Sequence, residues 1–225
     1  MGLLTLYAGL LLPWLGGTLW LTFADARFNS GNQSNYFRQA GYGFFLGYAV
    51  LFIAVMAGNK FSGEVSWSVL MVFLLVFAAS GGFAAWWNRR SSTTTALPSQ
   101  TAPVAPINTF GKTLTAIMLV LMLVHLVFIT VEIFTQPVYP WDAWLAWIYR
   151  AKAWFMAGNM ENVISTADWA TATSANIYTI DAWLYPLFPS VVPYWAALSL
   201  GSWSETLVNL PVLFAGLALG MAIYG

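Results

Sequence analysis

The sequence predicts an all-helical polytopic membrane protein of about six spans, with an amphipathic interfacial helix set in a long extracytoplasmic loop. Three observations predict it. Apolar residues make up 60% of the chain and charged residues 7%, against roughly 25% charged in an average soluble domain. Six stretches approach the ~20 apolar residues that cross a bilayer. A tryptophan-rich segment carrying one acid and two bases follows the fourth of them. The formal net charge is zero, so no basic field argues for nucleic acid. The lack of cysteine excludes a disulfide framework and thiolate metal sites.

The expected spans are Leu3–Phe23, Ala40–Ala57, Val65–Trp87, Leu114–Phe134, Tyr185–Leu200 and Thr206–Tyr224. The first follows Met1 with no basic n-region and no small-residue cleavage motif, which makes it a retained helix and not a signal peptide. The second holds three glycines but no charge. The fifth contains Pro186, Pro189 and Pro193, so it is kinked or starts later, and neighbours must satisfy the carbonyls that proline frees. Gly201 to Glu205 reads as a short inner turn before the last span. With no polar tail after Tyr224, the natural chain is expected to continue beyond Gly225.

Charges between the spans orient them. Asp25, Arg27 and Arg38 flank the first connection, Lys60 and Glu64 the second, and Arg89, Arg90 and Lys112 the third. The positive-inside rule then makes the first and third connections cytoplasmic and the amino terminus external. Residues 1–87 form a three-span front module. Residues 88–112 form a flexible cytoplasmic linker around the polar run Ser91 to Ile107. Residues 113–225 form a rear module, expected to be truncated, with an extracytoplasmic loop over 135–184 and two further spans. Asn32-Gln33-Ser34 matches a glycosylation sequon but lies on a connection read as cytoplasmic.

The loop segment Tyr139 to Phe155 concentrates the chemistry. As a helix turning about 100° per residue, it gathers Trp144, Trp147, Ile148, Ala151, Trp154 and Phe155 on one side. Asp142, Ala146, Tyr149 and Ala153 lie opposite, with Arg150 and Lys152 on the flanks. Such a helix lies in the membrane interface with its tryptophans among headgroups. Asp142 then points into water or a protein cavity. It can act as a general base if partial burial raises its basicity, or it can simply cap a helix start after Pro140. Arg150 and Lys152 can hold a phosphate or snorkel to anionic lipid.

Other candidates have equally plain alternatives. His125 lies mid-span, and Glu132 follows seven residues later on roughly the same face. Ionisable groups at membrane depth are functional candidates, although a hydrogen bond from His125 to a neighbouring helix would also account for it. Asp168 and Asp181 could position a sugar or a divalent ion, or could be solvated loop acids. Trp183, Tyr185, Tyr194 and Trp195 could stack sugar rings, or could belong to an aromatic belt. No second His, Cys or acid cluster stands at ligand spacing, so no metal site and no cofactor are expected.

One ordering of motifs is distinctive. A span leads into Pro140-Trp141-Asp142-Ala143-Trp144 with Trp147, then Lys152-Ala153 and Phe155. Tyr185-Pro186-Leu187 and Val208-Asn209-Leu210 follow later. This resembles bacterial polytopic glycosyltransferases of the GT-C class, a broad group related to protein O-mannosyltransferases and aminoarabinose transferases. The resemblance implies an integral protein of the bacterial inner membrane with its site on the extracytoplasmic face. It implies a polyprenyl-phosphate sugar as donor, an acceptor of unstated identity and Asp142 as catalytic base of an inverting transfer. Arg150, Lys152, Asp181, Tyr185, Trp141 and Trp144 would then contact substrate, and the chain would be the amino-terminal portion of such an enzyme. The alternatives are a non-catalytic membrane subunit or lipid-binding scaffold and, more remotely, a transporter with His125 at its midplane.

Overall fold

The computed structural model describes residues 2–28, 35–91, 108–137, 146–174, 177–180 and 184–224. The protein is all-helical. Four long helices are α1 (Leu3–Phe28), α2 (Tyr36–Ser62), α3 (Trp67–Ser91) and α4 (Thr109–Thr135). At 1.5 Å per residue they run about 37–41 Å, longer than the ~30 Å hydrocarbon core. A fifth long segment, Leu207–Tyr224, joins a single 3-10 turn to helix α8 (Leu210–Tyr224). These five are long and apolar enough to cross a membrane, as an integral membrane protein requires. Between them lie α5 (Ile148–Ala157), α6 (Thr166–Thr171) and α7 (Phe188–Leu200). Strands β1 (Val163–Ile164) and β2 (Tyr178–Thr179) make one short parallel pairing.

Local chemistry sets several boundaries. The Asn35 side chain accepts from the Phe37 and Arg38 amides and so caps α2. Asn108 does the same for α4, accepting from Gly111 at 2.8 Å. Gly63 and Gly201 end α2 and α7 with φ of 71° and 79°, a left-handed turn that glycine adopts without strain.

Helix α1 is the hub. Its backbone meets α2 so closely that a Cβ on Gly17 would overlap the Gly43 carbonyl, and one on Gly47 would overlap the Pro13 carbonyl. Contact this close suits a lipid environment, where van der Waals packing and hydrogen bonds hold helices together. Aromatic tips supply several of those bonds. The Trp14 indole donates to the Ala40 carbonyl at 2.7 Å, Trp20 to Phe77 at 3.0 Å, and the Tyr48 hydroxyl to Leu10 at 3.2 Å. Helix α8 runs antiparallel to α2 and α4. Ala218 and Ala222 pack on Gly41, and the Tyr224 hydroxyl reaches the Thr115 carbonyl at 3.5 Å.

Two expectations are corrected here. The stretch Tyr185–Leu200 does not form a spanning helix. Pro186 and Pro189 delay the helix start, and α7 is 13 residues long, about 20 Å. The Gly201–Glu205 turn also lies at the opposite end from the one expected. Glu205 pairs with Lys152 of α5, and Tyr185, just before α7, accepts from Arg150 of α5. Residues two apart on one helix therefore hold both flanks of α7. It enters and leaves at one end of the bundle, where α1 begins, α2 finishes and α8 begins. The Met160 amide ties the same region to Asn59 at the close of α2, at 3.3 Å.

Candidate functional site

The site is built on α5, and α5 is not the lipid-floored helix that its wheel suggests. Trp154 and Ala151 are buried against protein, with the Trp154 ring edge-on to Tyr194 of α7 at 5.8 Å. Ala146 and Ala153, expected on the side facing water or a cavity, are buried as well. The expected division into a lipid face and a water face does not hold over α5: members of both faces are buried, and Tyr149, grouped with Ala146 and Ala153, is exposed. Trp141, Asp142 and Trp144 lie outside the described residues, as do Asp181 and Trp183.

Arg150 is the most buried charged side chain described, 1% exposed. Its guanidinium donates to the Tyr185 carbonyl at 3.0 Å. Burial pulls its pKa below the ordinary arginine value, because removal from water disfavours the charged form. The Tyr185 ring itself is exposed. Lys152, one half-turn along α5, is half-exposed and salt-bridged to the equally exposed Glu205, with its ammonium 5.9 Å from the Trp203 ring centre. Neither Glu205 nor Trp203 was expected here. The missing signal was the failure of α7 to cross, which carries both residues back to α5.

Several buried polar atoms around α5 have no partner among the described residues. They are the indole nitrogens of Trp147, Trp154 and Trp203, the Asn162 side-chain oxygen and the Ser190 hydroxyl. Buried polar groups normally find partners. Arg150 and Lys152 lie about 200° apart around α5, and each has a partner on one flank of α7, the Tyr185 carbonyl and the Glu205 carboxylate.

The remaining candidates fall out of the site. Tyr194 and Trp195 are fully buried and cannot stack on a sugar. Asp168 lies in the first turn of α6, where it exchanges hydrogen bonds with Ser165 in a capping arrangement. His125 and Glu132 sit exposed on α4, and the hydrogen bond from His125 to a neighbouring helix is not formed among the described residues. No group of three metal-ligating side chains occurs among those residues. Beside the bundle, α1 and α3 enclose an apolar groove of about 530 Å³ between Leu11, Leu15, Met71 and Leu75.

The fold defines an all-helical integral membrane protein with α5, its two basic residues and their partners Tyr185 and Glu205 at one end of the bundle. Compared with known proteins, the chain matches no family model, no curated protein and no solved structure.

Proposed function

We propose that this protein is a GT-C type membrane glycosyltransferase, or the amino-terminal portion of one, which transfers a sugar from a polyprenyl-phosphate donor to an acceptor hydroxyl. What supports the reading is the order of motifs: the Pro140-to-Trp144 segment is followed directly by α5 with its two basic residues, Arg150 and Lys152, at one end of the bundle. In the transfer, the Asp142 carboxylate takes the acceptor proton. The acceptor oxygen bonds to the anomeric carbon as the bond from that carbon to the phosphate oxygen breaks, and polyprenyl phosphate leaves from the opposite side with inversion. Arg150 or Lys152 offsets the charge on the leaving phosphate. Trp141, Trp144, Asp181 and Tyr185 complete the substrate contacts in this reading. The apolar groove between α1 and α3 is a surface on which a prenyl chain can lie.

Charge distribution supports an extracytoplasmic site. Arg27, Arg38, Arg89, Arg90 and Lys112 all sit at the end away from α5, which the positive-inside rule assigns to the cytoplasm. The bacterial inner membrane is the setting that this reading implies. The test is sugar transfer from a polyprenyl-phosphate donor by the full-length natural protein and its Asp142→Asn variant. The reading expects a loss of about two to four orders of magnitude; unchanged turnover removes Asp142 from the chemistry.

A second reading, a non-catalytic membrane subunit or lipid-binding scaffold, draws on the partners of the two cations. Arg150 is spent on the Tyr185 carbonyl and Lys152 on Glu205. In that case Arg150→Gln and Lys152→Gln change stability alone.

A further inference from the structure

Helices α1 and α3 run side by side in the same direction. Gly16 packs on Phe77 and Ala78, and one turn further on Gly81 packs on Trp20. The Trp20 indole donates to the Phe77 carbonyl at 3.0 Å, and the two rings stack. Seven residues past this contact each helix has turned almost twice. Arg27 therefore returns to the side of α1 that carries Trp20, and Asn88 to the side of α3 that carries Gly81. Arg89 is the next residue round. The mouth of the seam thus brings Arg27 and Arg89 to one level, close to the helix ends at Phe28 and Ser91. Both arginines are exposed, and neither makes a hydrogen bond or ion pair with a described residue.

The positive charge at this end has little to balance it. Asp25 lies about 200° round α1 from Arg27, and its carboxylate accepts from the Gln39 amide of α2 at 2.7 Å. The connecting residues 29–34 and 92–107 contain no Asp or Glu. On α3, exposed Phe83, Trp86 and Trp87 form an aromatic collar just short of the arginines, and the Arg90 guanidinium lies 4.2 Å from the Trp86 ring centre. Such rings settle at headgroup depth, which sets the arginines level with lipid phosphates and not out in bulk water. We propose that the mouth of the α1–α3 seam binds an anionic phospholipid, with Arg27 and Arg89 on its phosphate and its chains beside Trp86. Two guanidinium forks match the oxygens of one phosphate. The helix ends present about half a negative charge each, which the two full positive charges outweigh. A soluble phosphate compound would meet the same charge, but the aromatic collar would do nothing for it. The site lies at the opposite end of the bundle from α5 and does not rest on the proposed transfer activity.

The test measures binding of phosphatidylglycerol and of phosphatidylcholine to the full chain in detergent by native mass spectrometry. Phosphatidylglycerol is expected to bind more tightly by about tenfold or more, and Arg27→Gln combined with Arg89→Gln is expected to remove that preference. Arg38→Gln combined with Lys112→Gln subtracts the same charge from the same end, but on α2 and α4. That pair should leave the preference within about twofold, because charges away from the seam are screened. All four residues are exposed, so both double variants fold, which unchanged thermal unfolding checks. Equal loss in the two double variants would mean a diffuse field in place of a site, and equal binding of the two lipids would mean no selection for charge. Either result overturns the proposal. Displacement of the lipid by an equal concentration of inorganic phosphate would assign the arginines to a soluble ligand and overturn it as well.

Discussion

The Trp195 indole donates to the Gly9 carbonyl at 2.8 Å, and that carbonyl is the one Pro13 leaves without its helical donor. A proline in α1 and a tryptophan in α7, 182 positions apart in sequence, therefore form one device: the proline frees an acceptor and the indole occupies it. Both residues are buried. Trp195→Phe keeps most of the packing but leaves the acceptor orphaned, a cost of about 1–3 kcal/mol. Combining it with Pro13→Ala returns a backbone N–H to Gly9 and should recover much of that loss. A double-mutant cycle of unfolding in detergent measures the coupling, and strictly additive effects would dissociate the two residues.

Glycines on α2 have unequal roles. At Gly47 a methyl group collides with the Pro13 carbonyl, so Gly47→Ala should separate α1 from α2 and cost about 3 kcal/mol or prevent folding. Gly58, on the same helix, has open space around its Cβ direction. Gly58→Ala should be neutral or stabilising by up to about 1 kcal/mol, the helix-propensity difference. Thermal unfolding of the two variants side by side checks the contrast.

The two cations of α5 should also behave differently. Arg150 is buried and its hydrogen bond is charge-assisted, so Arg150→Met should cost about 1.5–3 kcal/mol. It should also speed hydrogen exchange across residues 184–187. Lys152 and Glu205 are each 43% exposed, and solvent screening reduces Lys152→Gln to about 0.2–1 kcal/mol. A larger loss for Lys152→Gln than for Arg150→Met would reverse the structural roles given to them.

How far the sequence could be read depends on the element. The five long apolar helices follow from run length alone, but run length misses their caps: Asn35 and Asn108 start α2 and α4 several residues before the expected Ala40 and Leu114. The expected fifth span failed because a count of apolar residues ignores Pro186 and Pro189, which cut sixteen candidate residues to a helix of 13. That error also displaced the Gly201–Glu205 turn and hid the pairing of Lys152 with Glu205. For α5, periodicity could not say what covers each side: Ala151 and Trp154 from one expected face and Ala146 and Ala153 from the other are all buried, while Tyr149 is exposed. Arg150 shows the same limit: a basic residue on the flank of a tryptophan face reads as a headgroup contact until Tyr185 arrives from 35 positions away.

The account turns on α7 entering and leaving at the end that carries α5. The chain has no cysteine, so single cysteines report sidedness directly. Glu161→Cys marks the loop after α5, Ser202→Cys the turn after α7 and Ser91→Cys the close of α3, all at exposed positions. A membrane-impermeant maleimide applied to sealed, oriented vesicles should label Cys at 161 and 202 from one side and Cys at 91 only from the other. Labelling of position 202 together with position 91 would make α7 a true span and separate Glu205 from Lys152.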